Sequence, residues 1–203
     1  MTYLIKRRKY RKLTPQILAR IPDDELDFAI WDFIWLKVGK NHNRIDNIVS
    51  RLSAGFQMVF YTFILEGEID NGGYNQYFFN SSGKYALLTL DSFKLIGADE
   101  NHKNLKKAIA IHTREQKNVK LQKLYAERTI PSFFATYKQT KLGTCDKEFY
   151  ILEGKLRQLR VRFIREHLEM FVGEISPTRK GVKSRHAAQK SKPRQPKSPV
   201  SKA

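Results

Sequence analysis

The amino-acid sequence predicts an all-α fold, a single compact multi-helix domain, on three observations. Apolar residues recur three and four apart through most of residues 21–174, the spacing of one helical face. No window alternates apolar and polar residues between hairpin turns, so strands are not expected. Hydrophobic residues make up 41% of the 203 and aromatics 12%, enough for the core of one domain and too many for a wholly disordered chain.

The elements follow in order. Residues 1–20 form a basic arm in which Thr14-Pro15 marks a cap and first helical position, giving a short helix to about Arg20. Ile21-Pro22 then leads into Asp23, Asp24 and Glu25, carboxylates favoured beside the free amides of a first helical turn. Leu26, Ala29, Ile30, Phe33 and Ile34 share one face of that helix, and Gly39 is placed to end it. Trp31 and Trp35 form a second ridge, read as core aromatics before an exposed partner surface. Ile45, Ile48, Val49, Leu52, Phe56, Val59, Phe60 and Phe63 define a central helix over about 44–66. Between Phe56 and Leu65 only Gln57 and Thr62 interrupt its apolar character, so this half is expected to be buried nearly all round. Helices over Lys84–Ile96, from a cap at Asp99, over Val119–Ala126, and from a cap at Asp146 through Phe149, Leu156 and Phe163 complete the domain.

Charge divides the chain differently from hydropathy. Lysine and arginine number 38 against 20 acids, a net charge of +18. Residues 1–20 hold seven of the cations, Lys6, Arg7, Arg8, Lys9, Arg11, Lys12 and Arg20, and no acid. Residues 175–203 hold nine more, beginning with Arg179, Lys180, Lys183 and Arg185, again with no acid. The body between is near neutral, at +2. Four prolines and almost no aliphatics in residues 175–203 give a tail expected to be disordered, because it cannot bury enough apolar surface to offset its ordering entropy. Both extensions suit salt-sensitive, sequence-independent contact with nucleic acid. In the last helix Lys155, Arg157, Arg160, Arg162 and Arg165 read as a solvated face over the core.

Tests for chemistry exclude more than they find. The five histidines lack metal-ligand spacing and Cys145 stands alone, which also fits a reducing, cytoplasmic setting. Glu66-Gly-Glu68-Ile-Asp70 resembles the start of a calcium loop, but Asn71 and Tyr77 stand where glycine and a bidentate glutamate are needed, so an acidic solvated helix end is expected. Neither phosphate-binding glycine motif is present. Cys145, near a helix start where amides can lower a thiol pKa, is read as a small hydrophobe rather than a nucleophile. No catalytic group, cofactor or metal is expected. The longest uncharged stretch, Leu52–Leu65, has 14 residues, too few to span a bilayer.

The sharpest signature is Glu68-Ile69-Asp70-Asn71-Gly72-Gly73-Tyr74-Asn75-Gln76-Tyr77-Phe78-Phe79-Asn80-Ser81-Ser82-Gly83. Asn71, Gly72 and Gly73 tolerate positive φ and let the chain leave the central helix sharply. Tyr74, Tyr77 and Phe78 then fall on one core-facing side of a short helix, while Gln76 and Asn80 form a polar ridge. The polar members either hold a helix–turn–helix corner or line a binding groove. The run resembles the NGG-x-x-Q-[YF]-F-x-N-S-S-G signature of the bacterial domain family named after a DNA-mimic protein. The resemblance extends from about Asp23 to Phe171, through Ile96-Gly97-Ala98 and Asp146-x-x-Phe149-Tyr150. It implies an all-helical, non-enzymatic domain whose namesake, an acidic protein, occupies the DNA-binding surface of a transcription regulator.

A DNA mimic needs dense negative charge, and this body offers only local patches at Asp23, Asp24, Glu25 and Asp27 and at Glu66, Glu68 and Asp70. The expected function is therefore a non-catalytic module that binds a protein partner, with cationic extensions. The alternative is a nucleic-acid-associated protein acting through those extensions.

Overall fold

The computed structural model describes residues 8–40 and 42–175. In chain order these form β1 (Lys12–Leu13), α1 (Pro15–Leu18), α2 (Asp23–Val38), a 3-10 turn at His42–Arg44 and α3 (Ile45–Val49). Next come α4 (Ala54–Phe79), a 3-10 turn at Ser81–Tyr85, α5 (Ala86–Leu95), α6 (Asp99–Glu115), α7 (Val119–Glu127) and α8 (Ile130–Tyr137). The chain closes with α9 (Gly143–Glu166), a 3-10 turn at Leu168–Phe171 and β2 (Gly173–Glu174). The all-α reading holds.

α4 is the axis of the domain, with α2, α5 and α9 packed around it and α8 against its C-terminal end. Phe56, Val59, Phe60, Leu65 and Ile69 are all buried along it. Trp31 of α2 stacks on Phe63 and Phe60, at centroid distances of 5.0 and 5.9 Å, so the α2 tryptophans are a half-buried ridge of the core. Gly39 ends α2 at φ 57°, its N–H donating to the Trp35 carbonyl at 2.9 Å. Thr14 caps α1 as its sequence suggests, although the helix stops at Leu18.

Several expectations are corrected. The periodic run 44–66 is two helices, because Ser50–Ser53 breaks the backbone while both flanks keep facing one core. α4 is itself two helical pieces: as expected, the chain leaves the first at Gly72 and Gly73, whose backbone is non-helical, and the second runs on to Phe79 across the kink. Asp99 and Asp146 lie inside the first turns of α6 and α9; the cap positions are Ala98 and Leu142. α8 is an addition to the expected helices. Its start is signalled by Thr129, whose hydroxyl accepts from the Ser132 N–H at 3.1 Å while the Ser132 hydroxyl accepts from the Thr129 N–H at 3.0 Å.

Two strands also exist, against expectation. β1 and β2 pair antiparallel, Lys12 opposite Glu174 and Leu13 opposite Gly173. Two residues are too few to leave an alternating pattern in the sequence. The cationic face of α9 is corrected too: Arg160 is only 2% exposed. Its guanidinium meets Asp27 at 3.1 Å and Glu66 at 2.6 Å, and donates to the Thr62 hydroxyl at 3.3 Å. Arg157 joins Asp27 at 3.3 Å, and Arg165 binds Asp23 at 2.6 Å and the Leu18 carbonyl at 2.7 Å. α9 thus fastens α2 and α4 through ion pairs. Desolvation is the dominant influence on Glu66 and raises its pKa, although Arg160 pulls it the other way.

Candidate functional site

The glycine corner is a kink inside α4. Gly72 is extended, with φ −173°, while Gly73 has φ 67° and ψ −175°, a conformation that only glycine adopts readily. Leaving the helix there orphans the amides of the turn that follows. Asp146 of α9 supplies the missing acceptor, its Oδ1 taking the Tyr74 N–H at 2.8 Å. A Cβ on Gly73 would stand 2.4 Å from the other oxygen of that carboxylate, so glycine is required by space as well as by φ. Tyr137 of α8 donates its hydroxyl to the Gly72 carbonyl, and the Asn71 side chain donates to the Gly67 carbonyl at 2.7 Å.

The polar ridge converges on one carboxylate. Gln76 and Asn80 donate to Glu68 Oε2 at 2.9 and 2.8 Å, and the Ser82 hydroxyl donates to Oε1 at 2.6 Å. Glu68 lies one turn before the kink and Ser82 in the 3-10 turn after α4, so this cluster clamps both sides of the bend. Ser81 is exposed in that turn. A Cβ on Gly83 would stand 3.1 Å from the Tyr77 carbonyl, so the turn packs directly on α4. Tyr77 is buried, its hydroxyl 3.4 Å from that of Thr89.

Beneath the corner, polar groups are paired across helices. The Tyr74 hydroxyl donates to Asn104 at 2.6 Å, and Asn104 donates to the Cys145 carbonyl and to Glu148, each at 3.1 Å. Asn75 donates to the Thr136 hydroxyl and accepts from the Tyr125 hydroxyl, each at 2.8 Å. Burial raises the pKa of Asp146, opposed by the Tyr74 N–H, and also raises that of Asp70. His112 stacks on Phe78 at 4.3 Å, and desolvation lowers its pKa to about 4.

Above the corner lies an open cavity of about 260 Å³, lined by Gln76, Phe79, Asn80, Arg128, Ile130 and Phe133 among others. It borders an apolar stripe on α8: Ile130, Phe134 and Tyr137 are 73%, 62% and 40% exposed. Residues four and three apart on one helix share a face, so the stripe is continuous.

The expected calcium-like run is not a solvated acidic end: Glu66 is taken by Arg160, and Glu68 by Gln76, Asn80 and Ser82. Among the described residues no group of three histidine, cysteine or acidic side chains is placed to hold a metal ion. Cys145 sits buried in the first turn of α9, where desolvation pushes its thiol pKa up rather than down. Arg8, Lys9, Arg11 and Lys12 lie on the surface at β1 and the residues leading to it. Lys6 and Arg7, with Arg179, Lys180, Lys183 and Arg185 and the expected disorder of the tail, lie outside the described residues.

Sequence reasoning assembles the motif but not its partners. Glu68 is legible as the start of the signature but not as the acceptor for Gln76, Asn80 and Ser82, and Asp146 only as a cap for its own helix. Asn75, Thr136 and Tyr137 give no signal, because their pairing requires knowing that α8 exists and docks on α4.

Residues 50–167, more than half of the chain, match the DMP19-like protein family. No curated protein and no solved structure gives a significant match. The matched span lies inside the Asp23–Phe171 stretch that resembles the DNA-mimic family, and it contains the kink, the Glu68 cluster and Asp146. The chain belongs to the DMP19-like protein family.

Proposed function

We propose that this chain is a non-catalytic interaction domain that holds a protein partner against α8 and the adjoining corner of α4. The observation that carries this reading is the exposed stripe of Ile130, Phe134 and Tyr137 beside the cavity over Gln76 and Asn80. Large apolar groups gathered beside a few polar ones form the usual centre of a protein interface. The rigid corner beneath serves as the platform.

The family's name points to DNA mimicry, and a transcription regulator is the partner class it suggests. This body would meet such a partner by shape and apolar contact rather than by dense negative charge. Its carboxylates are largely engaged internally: Asp27 and Glu66 by Arg160, Asp46 by Lys84, Glu100 by Lys155, Glu148 by Lys107. Within the corner both Glu68 oxygens already accept hydrogen bonds, so that carboxylate serves the fold.

Affinity capture with and without nuclease tests the proposal. Captured protein should survive nuclease treatment and disappear with the Ile130→Glu/Phe134→Glu variant, whose melting temperature should stay native because both side chains are exposed. Capture that vanishes with nuclease, or that is unchanged in the variant, would overturn it.

A further inference from the structure

We infer, on the reading above that this face holds a protein, that the element seated on α8 is an acidic amphipathic helix. Its apolar side covers Ile130, Phe134 and Tyr137, and a carboxylate on its flank meets Arg128 at the adjoining cavity. Arg128 closes α7 at φ 52° and ψ 32°, the one non-glycine residue at positive φ among the described residues. Helix ends in that left-handed region usually carry glycine, and residues held in sparsely populated backbone conformations gather at ligand clamps. The guanidinium stands over the Phe79 ring, 5.2–5.5 Å being the usual reach of such a contact and 5.5 Å the distance here, so it is held at the cavity rim. It has no ion pair among the described residues, and no carboxylate lines that cavity with it. Arg162 of α9 differs on both counts. It also borders a cavity, but from helical backbone, and Asp23, Asp24 and Glu166 line that cavity with it.

Charge around the stripe points the same way. Residues 116–145, which hold α7, α8 and their flanking turns, contain Lys117, Lys120, Lys123, Arg128, Lys138 and Lys141 against Glu127 alone, a net of +5. The body as a whole is +2, so the rest of it is −3, and its positive excess is gathered where the apolar stripe lies. All six cations are exposed. The acids at the two borders are occupied: Glu115 accepts from the Thr140 hydroxyl at 2.8 Å and the Lys141 N–H at 2.6 Å, and Asp146 from the Tyr74 N–H. A helix is the matching shape, because Ile130, Phe134 and Tyr137 form one ridge of the kind that packs against a second helix. Apolar contact along that ridge excludes water and strengthens the pair between Arg128 and a carboxylate. A nucleic acid is the poorer fit, since an exposed isoleucine in the stripe neither stacks on a base nor neutralises a phosphate.

The probe is a phage-displayed library of random peptides, each long enough for four helical turns, selected against the full-length chain. Peptides that bind the wild type and not the charge-neutral variant Ile130→Ser/Phe134→Ser should be enriched in aspartate and glutamate, with apolar residues three and four apart. A selected peptide, labelled and followed by fluorescence anisotropy, should bind Arg128→Gln about tenfold more weakly, as expected for one lost charge-assisted contact. That difference should shrink as salt is added. Arg128→Gly should lose as much binding while keeping a native melting temperature, because glycine takes φ 52° without strain. Arg162→Gln should bind as the wild type does. A selection without acidic enrichment or without any peptide lost in the serine variant, equal binding by Arg128→Gln and the wild type, or tighter binding of single-stranded DNA than of the peptide would overturn the inference. Lysate capture left unchanged by Ile130→Glu/Phe134→Glu would instead overturn the reading of α8 beneath it.

Discussion

Replacing Gly73 by alanine is expected to damage the corner in two separable ways. The first is backbone strain at φ 67° and ψ −175°, about 1–3 kcal/mol for a residue with a side chain. The second is steric: the new Cβ would lie 2.4 Å from the Asp146 carboxylate, which must swing away from the Tyr74 N–H. Losing a capping interaction of that kind costs about 0.5–2 kcal/mol, so Gly73→Ala should lose about 1.5–5 kcal/mol in all. Urea denaturation followed by helical circular dichroism measures this for the wild type, Gly73→Ala, Asp146→Ala and the double variant. Because Gly73→Ala already displaces Asp146, the double variant should be about as unstable as Gly73→Ala alone. The coupling should equal the cost of Asp146→Ala, about 0.5–2 kcal/mol. Additivity within about 0.5 kcal/mol would refute the shared-carboxylate account. Gly67→Ala is the internal control. Its Cβ would meet nothing within 4 Å on the exposed side of α4, so it should stabilise by about 0.5–1 kcal/mol.

Arg160→Met should cost about 3–5 kcal/mol by leaving Asp27 and Glu66 without their shared cation, read as a fall in urea midpoint. Glu68→Ala should lose about 1–2 kcal/mol by freeing Gln76, Asn80 and Ser82, and no more than that because the cluster borders solvent. A native melting curve for Glu68→Ala would remove the clamp from the fold's stability and leave it to binding alone. His112 is neutral when folded, with a pKa near 4 against about 6.5 unfolded. Its depressed value means that stability is fully present above pH 6.5 and is lost as pH falls toward 4, by roughly 1–2 kcal/mol after discounting for partial exposure. His112→Phe keeps the stack on Phe78 and should flatten that part of the stability–pH curve; an unchanged curve in the variant would sink the assignment.

The helices of this fold are legible where one side chain in three or four must be apolar, as in Leu26–Ile34 and Phe56–Leu65. The corner is legible in part, since two consecutive glycines after a buried run announce a bend, and Tyr74, Tyr77 and Phe78 announce which side faces the core. What sequence spacing does not encode is the identity of remote partners. Arg160 has the same periodic neighbours as Arg162, yet one is buried between two acids and the other is exposed, because only the docking of α2 and α4 decides which finds a carboxylate. Glu68 looks like a member of an acidic run for the same reason. α8 escapes notice because its first turn contains Pro131, which reads as a breaker unless the reciprocal Thr129–Ser132 bonding before it is recognised.

The cap on the second part of α4 also has a bearing on the order in which the chain folds. Residues 74–79 make a helical piece far below the length that persists alone in water. Their stabilising carboxylate comes from a residue 72 positions later in the chain. During synthesis from the N-terminus, α2 and the first part of α4 can begin to associate while the signature segment still lacks its acceptor. That segment gains its cap only once the start of α9 has emerged and docked. The corner is thus built as a late contact of high sequence separation, the kind whose loop-closure cost slows the final step of assembly.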